Sequence, residues 1–459
     1  MHHLLILLIS AISIALMLIR PRNIPEVYWV GSGALLLVVL RLIPLRLAGK
    51  SIAEGTDVYL FLIGMMLLSE LARENGVFDW LASVATQAAR GSSARLFTLM
   101  YGIGTIVTVC MSNDATAVVL TPAVLAAVRR SKAQPLPFLF ACAMIANAAS
   151  FVLPISNPAN LVVFRSGIPP LGRWLLSFLV PSILSIIVTF LVLRWYFRED
   201  LAQPIEISRH EVNLSGNGKL VLAGLAVVVV VLLVASSLDK DLGLPTCIAA
   251  LCVTAVLCLR SRSNPLPLLR QISWATLSLV AALFILVDAI ESIGALRYTQ
   301  AALHRAEALG TTLGALATAF ILAVANNLTN NLPLGLIAGA TLTATHTHGL
   351  LANAVLIGVD LGPNLSVTGS LATILWLLAL RREDLHVSMM DFLKVGAIAM
   401  PAALFASMAG ALAMHAIFPA TAAGSKHAPH DTRLRSYPSS PLVESPRAVF
   451  SPARISSAP

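Results

Sequence analysis

The sequence predicts an all-α polytopic membrane protein with two inverted structural repeats, about ten transmembrane helices and two re-entrant helical hairpins. Three observations carry this. Of 459 residues, 57% are hydrophobic and 12% charged, against roughly 25% charged in soluble domains. Apolar stretches near the roughly 20 residues that cross a hydrocarbon core recur from end to end. The two halves also match in one order along the chain, at an offset of somewhat over two hundred positions.

Taken in order, Pro, Gly and charge punctuation sets apolar spans near 4–19, 27–45 and 57–72. The first ends in Arg20-Pro21-Arg22 with no small-residue cleavage site, so it reads as an uncleaved helix and not a signal peptide. The stretch 94–128 is too long for one crossing and has a polar middle, which predicts a hairpin. A broken helix at 136–165 and a span at 171–193 complete the first repeat, residues 1–193. The charged stretch 194–218 reads as a cytoplasmic linker. The second repeat, 219–418, offers spans at 219–237, 243–260 and 272–293, a hairpin at 311–345, a broken helix at 350–380 and a span at 390–418. From Pro419 the chain is rich in Pro, Ser and Ala, the composition of a disordered tail.

The repeat matches place Glu70 on Asp288, Gly76 on Gly294, Asn113 on Asn330 and Asn147 on Asp360. If neither hairpin crosses, each half crosses five times, and an odd number inverts the second half. With the N-terminus outside, inward segments collect 18 Lys and Arg and outward loops eight, as the positive-inside rule requires. The net charge of +9 is spread over short loops and reads as topology signal, not a nucleic-acid patch. Cys110, Cys142, Cys247, Cys252 and Cys258 form no CxxC pair, which argues against a zinc site or disulfide framework. No nucleophile lies beside a His in the broken helices, so the chain does not read as an enzyme.

Four polar clusters interrupt apolar helices, at 111–117, 153–160, 325–333 and 359–370. Backbone freed at such breaks cannot face lipid, because each unpaired group costs several kcal/mol there. It must face protein or a wet cavity, and paired half-helix ends near the midplane are how transporters build a substrate site. The substrate-binding candidates are therefore Ser112, Asn113, Ser156, Asn157, Asn160, Thr329, Asn330, Asn331, Asn364, Thr368, Gly369 and Ser370. The carboxylates embedded in apolar sequence, Asp114, Asp360, Glu70 and Asp288, are the proton-coupling candidates; Glu70 and Asp288, near helix ends, fit an interfacial structural role equally well. His346 and His348 have metal-like spacing but no carboxylate or Cys nearby in sequence, and read as a solvated loop. No metal or cofactor is expected.

These clusters, as "SNDATAVVLTPAVLA" (112–126), "NAASFVLPISNPANLV" (147–162), "TNNLPLGLIAGA" (329–340) and "VDLGPNLSVTGSLATILWL" (359–377), resemble the arsenite/antimonite permeases, or arsenical pump membrane proteins, of the ion-transporter superfamily. The resemblance covers roughly residues 20–415. Members generally carry an acidic residue where this chain has Asn147 and a Lys where it has Asn364, so one proton site and one fixed positive charge are missing here. The resemblance implies efflux of arsenite or antimonite in exchange for protons at the cell inner membrane, with hairpin domains moving past a static scaffold. It allows a docked soluble ATPase subunit and a homodimer. Sodium/proton antiport, or transport of another ion or organic anion of the superfamily, stays open as the alternative. Against a dianion, Asp114 would repel it and no Lys or Arg lies in the four clusters. Neutral arsenous acid needs no countercharge, since hydroxyls, amides and exposed backbone can both donate to it and accept from it.

Overall fold

A computed structural model describes residues 2–206 and 213–419. Among these the regular structure is helical, apart from one isolated antiparallel bridge between Ser92 and Pro204. The predicted tail lies outside the described residues except for Pro419.

Among the described residues eight helices are long and apolar enough to cross a membrane: His2–Ile19, Ser93–Cys110, Leu171–Tyr196, Gly216–Ser237, Gly243–Ser261, Trp274–Ser292, Thr311–Thr329 and Met389–Ile417. A ninth span forms if Leu45–Glu54 and Thr56–Glu74, bent by 46° at Gly55, act as one. The expectation of about ten differs for three reasons, the first being that the broken helices at 136–165 and 350–380, each expected as a crossing, consist of pieces shorter than a span. The predicted span 27–45 is helical only over Glu26–Val39, too short to cross alone. Conversely, Ser93–Cys110 and Thr311–Thr329, the first arms of the two hairpins, have the length and apolarity of full spans.

The sequence places the breaks by supplying residues that cannot continue a helix but can begin one. In the first hairpin the return arm starts at residues 113–114, passes through a wide π-helical turn, Ala115–Leu120, and continues as Thr121–Arg130. In the second, Asn330 takes φ 74° and caps Asn331–Thr345, its Oδ1 accepting from the Leu332 N–H. The first broken helix comprises Pro135–Ala148 and Pro158–Val163. Pro stands at the first helical position of both halves, where its missing N–H costs nothing. The second comprises Leu350–Leu361 and Leu371–Arg382, restarted by the Ser370 cap.

Element order is the same in both halves. A turn at Gly76 (φ 71°) precedes the twelve-residue helix Val77–Ala88, and one at Gly294 (φ 70°) precedes the twelve-residue Arg297–Ala308. Each then runs through a hairpin, a broken helix and a long Pro-containing helix, Leu171–Tyr196 with Pro181 and Met389–Ile417 with Pro401. These two long helices pack along each other, with the Ser407 hydroxyl donating to the Pro181 carbonyl at 3.1 Å. The halves interlock: Glu26–Val39 packs on Trp274–Ser292, and Gly243–Ser261 on Thr56–Glu74. The linker straps the base of the first hairpin, with Ile205 N–H donating to the Gly91 carbonyl and Glu206 N–H to the Ser131 carbonyl.

Candidate functional site

Four half-helix starts converge on one point. A cavity of about 20 Å³ is lined by Asn113 and Asp114 of the first hairpin and by Asn157 and Pro158 of the first broken helix. Asn331 and Leu332 of the second hairpin and Leu371 and Ala372 of the second broken helix complete the ring, with Leu62 and Thr276 from flanking helices. It shares Leu62, Asp114, Pro158, Thr276 and Leu371 with a vestibule of about 190 Å³ that reaches Ser69, Glu70, Gln271 and Ser273. These last residues sit beside Arg73 and Arg270, so on the positive-inside assignment the vestibule opens inward.

Free N–H groups at the start of a helix suit oxygen ligands, and the macrodipole adds about half a positive charge at each long-helix start. The six-residue Pro158–Val163 contributes N–H groups more than a dipole. Several candidate side chains act as caps at these starts. Ser112 Oγ accepts from Ala115 N–H at 3.2 Å, Asn157 Oδ1 from Ala159 N–H at 3.0 Å and Ser370 Oγ from Thr373 N–H at 3.1 Å. The Asp114 carboxylate faces the cavity without a donor among the described residues, while its backbone N–H donates to Asn113 Oδ1 at 2.9 Å.

Other candidates brace the breaks without lining either cavity. Asn160 is fully buried and donates to the carbonyls of Ser150, Leu153 and Pro154. Ser156 Oγ donates to the Val109 carbonyl, tying the break to the first hairpin. Thr329 Oγ1 back-bonds to Ala325, and Thr368 Oγ1 reaches the Asn327 carbonyl at 3.0 Å. Gly369 packs so closely that an added Cβ would lie 2.5 Å from Pro363 Cα.

Among the described residues three hydrogen bonds join the breaks across the halves, one of them from Asn364 Nδ2 to the Met144 carbonyl at 3.0 Å. Asn157 Nδ2 donates to Asp360 Oδ1 at 2.9 Å, and Asn147 Nδ2 to Asn364 Oδ1 at 2.9 Å. Asp360 is buried and its Oδ2 has no partner. The Asn147–Asn364 contact joins the two positions where the resemblance implies an acid and a Lys, and in this chain two neutral amides pair there.

The remaining carboxylates lie apart. Glu70 lines the vestibule, paired with Arg73, which also donates to Gln271 at 2.8 Å. Asp288 lies outside both cavities and pairs with Arg165 at 3.4 Å, while Arg165 also reaches Glu291 at 3.2 Å. His346 and His348 line a separate polar cavity of about 430 Å³ with Glu307 and His415. The carboxylate missing from their sequence neighbourhood is thus supplied by the fold. No three His, Cys, Asp or Glu side chains among the described residues are grouped to hold a metal.

Sequence reasoning missed Leu62, Ser69, Gln271, Ser273 and Thr276. They sit on or beside unbroken helices, where Ser69, Ser273 and Thr276 offered only a hydroxyl in or beside an apolar span, too common to single out, and Leu62 and Gln271 offered no signal.

The chain is 27% identical over 420 residues, 87% of its length and 96% of the relative's, to a protein of Escherichia coli named arsenical pump membrane protein. A protein of the same name from Escherichia coli strain K12 is 29% identical over 373 residues, covering 78% and 86%. Among solved structures, the Alcanivorax borkumensis YdaH transporter matches with a TM-score of 0.56 at 14% identity, covering 81% of this chain and 88% of that one. That likeness concerns the fold. The sequence model of the CitMHS family, described as citrate transporter, matches residues 4–360, and the chain belongs to this family of membrane transporters.

Proposed function

We propose that the chain exports arsenite and antimonite as the neutral trivalent oxyacid, in exchange for protons, across the inner membrane of a bacterial-type cell. The observation that carries this is the unpartnered Asp114 carboxylate at the meeting point of four helix starts. Arsenous acid has oxygens to accept from the helix N–H groups and hydroxyls to donate to Asp114 and to amide oxygens. When Asp114 is ionised it accepts a solute hydroxyl. A proton on Asp114 neutralises the carboxylate and turns one of its oxygens into a donor, so proton and solute compete for the ionised form, and competition is what exchange requires. One proton crossing 100 mV supplies about 2.3 kcal/mol, and a hundredfold gradient of neutral solute needs roughly 2.7 kcal/mol.

The names of the curated relatives support the substrate, and the matching element order of the halves supports two inverted repeats as the moving frame. The family description favours a second reading, citrate or another organic anion. Against it, the two cavities are lined by Asp114 and Glu70 and by no Lys or Arg, and a polyanion requires a countercharge. A bacterial host deleted for its own arsenite pump and expressing this chain tests the proposal. Lower arsenite accumulation and higher tolerance are expected; accumulation equal to that of the empty host contradicts it.

A further inference from the structure

The two twelve-residue helices that precede the hairpins are packed very differently. Val77–Ala88 buries Val77, Phe78, Ala82, Ser83, Ala85 and Thr86, whereas Arg297–Ala308 buries Leu303 alone. Between the latter helix and the second hairpin lies a cleft of about 230 Å³, walled chiefly by Leu303, Leu322, Leu334, Ile337, Ala338 and Leu342. Its Thr299 and Thr341 hydroxyls bond to each other at 2.7 Å and to the Leu296 and Ile337 carbonyls, leaving little for water to satisfy. Ile321, 63% exposed, stands at the cleft in a stripe with Leu313, Phe320, Val324 and Leu328, all exposed at helical spacing. In a membrane-spanning chain that stripe faces hydrocarbon, so the cleft opens to lipid.

The helix above it is basic. Arg305 is exposed, three positions after Ala302 and one before Ala306, both of which line the cleft. Neither Arg305 nor the exposed Arg297 has an acidic partner among the described residues.

We propose that this cleft holds an acyl chain of an anionic phospholipid whose phosphate is taken by Arg305, at the cleft rim. The lipid fills the space that the first half closes with its own side chains. It rests on Leu334, Ile337 and Ala338 of the arm whose first residues, Asn331 and Leu332, line the central cavity, and so props the second hairpin.

The test uses the full chain in nanodiscs of equal phosphatidylglycerol and phosphatidylcholine, with the retained lipid quantified by mass spectrometry after purification. Phosphatidylglycerol should be enriched, and Arg305→Gln should lower that enrichment about fivefold, while Arg297→Gln, on the helix face opposite the cleft, should leave it unchanged. Ala302→Trp, at an exposed position, should fill the cleft and displace both lipids. Equal retention of the two lipids by the unaltered chain overturns the proposal, as does retention at its level in Arg305→Gln or in Ala302→Trp. The readout is independent of the transported solute.

Discussion

Asp114 and Asp360 are both acids at helix breaks, yet their surroundings differ. Asp114 faces the cavity without a donor, while Asp360 is buried and holds Asn157. If Asp114 carries the coupling proton, Asp114→Asn leaves the fold intact and removes the electrical driving term. The solute ratio sustained at 100 mV then falls about fiftyfold, which arsenite accumulation in energised everted vesicles measures. Asp360→Leu leaves the Asn157 amide without its acceptor and should cost about 1–3 kcal/mol, read as lowered thermal stability in detergent. Asp360→Asn keeps an acceptor, so a loss of exchange there without a loss of stability would mark a coupling role. The Asn147–Asn364 contact gives a further test. Asn147→Asp alone buries an unpaired charge, at about 3–5 kcal/mol. Adding Asn364→Lys supplies the partner 2.9 Å away and should recover most of that loss in the same melts.

At the scale of elements, the breaks were legible because their chemistry is local. Pro158 at a helix start, Asn330 at positive φ and the Ser370 cap each declare a restart within a few residues. The short helices Val77–Ala88 and Arg297–Ala308 were not legible, since twelve amphipathic residues resemble loop when judged against spans of about 20. Close approaches were equally hidden. An added Cβ at Gly339 would stand 2.7 Å from the Val162 carbonyl oxygen, and Gly335 lies against Val163. These glycines let the second hairpin seat on the first broken helix on the side away from the vestibule. Gly339→Val should force the two apart, at about 1–3 kcal/mol, with a lower melting temperature and impaired transport as the readout.

For the whole molecule, composition and the order of motifs specified the all-helical membrane class and the positions of the four breaks. Which helix packs on which was not specified, because long apolar helices carry nearly interchangeable surfaces. The interlock of Glu26–Val39 with Trp274–Ser292 and of Gly243–Ser261 with Thr56–Glu74 depends on tertiary fit. The same limit hid Ser69, Ser273 and Thr276, which join the site only when their helices are placed beside it. The vestibule reaches the cavity from the side of Glu70 and Gln271, so a solute that enters it meets Asp114 directly.

The most direct measurement uses the purified chain in proteoliposomes with an acidic lumen and a lumenal pH dye, challenged in turn with arsenite, citrate and sodium. Exchange through Asp114 predicts that arsenite enters and the lumen turns alkaline, that citrate and sodium do neither, and that Asp114→Asn abolishes the response. A lumen that responds to citrate or sodium and not to arsenite would contradict the account.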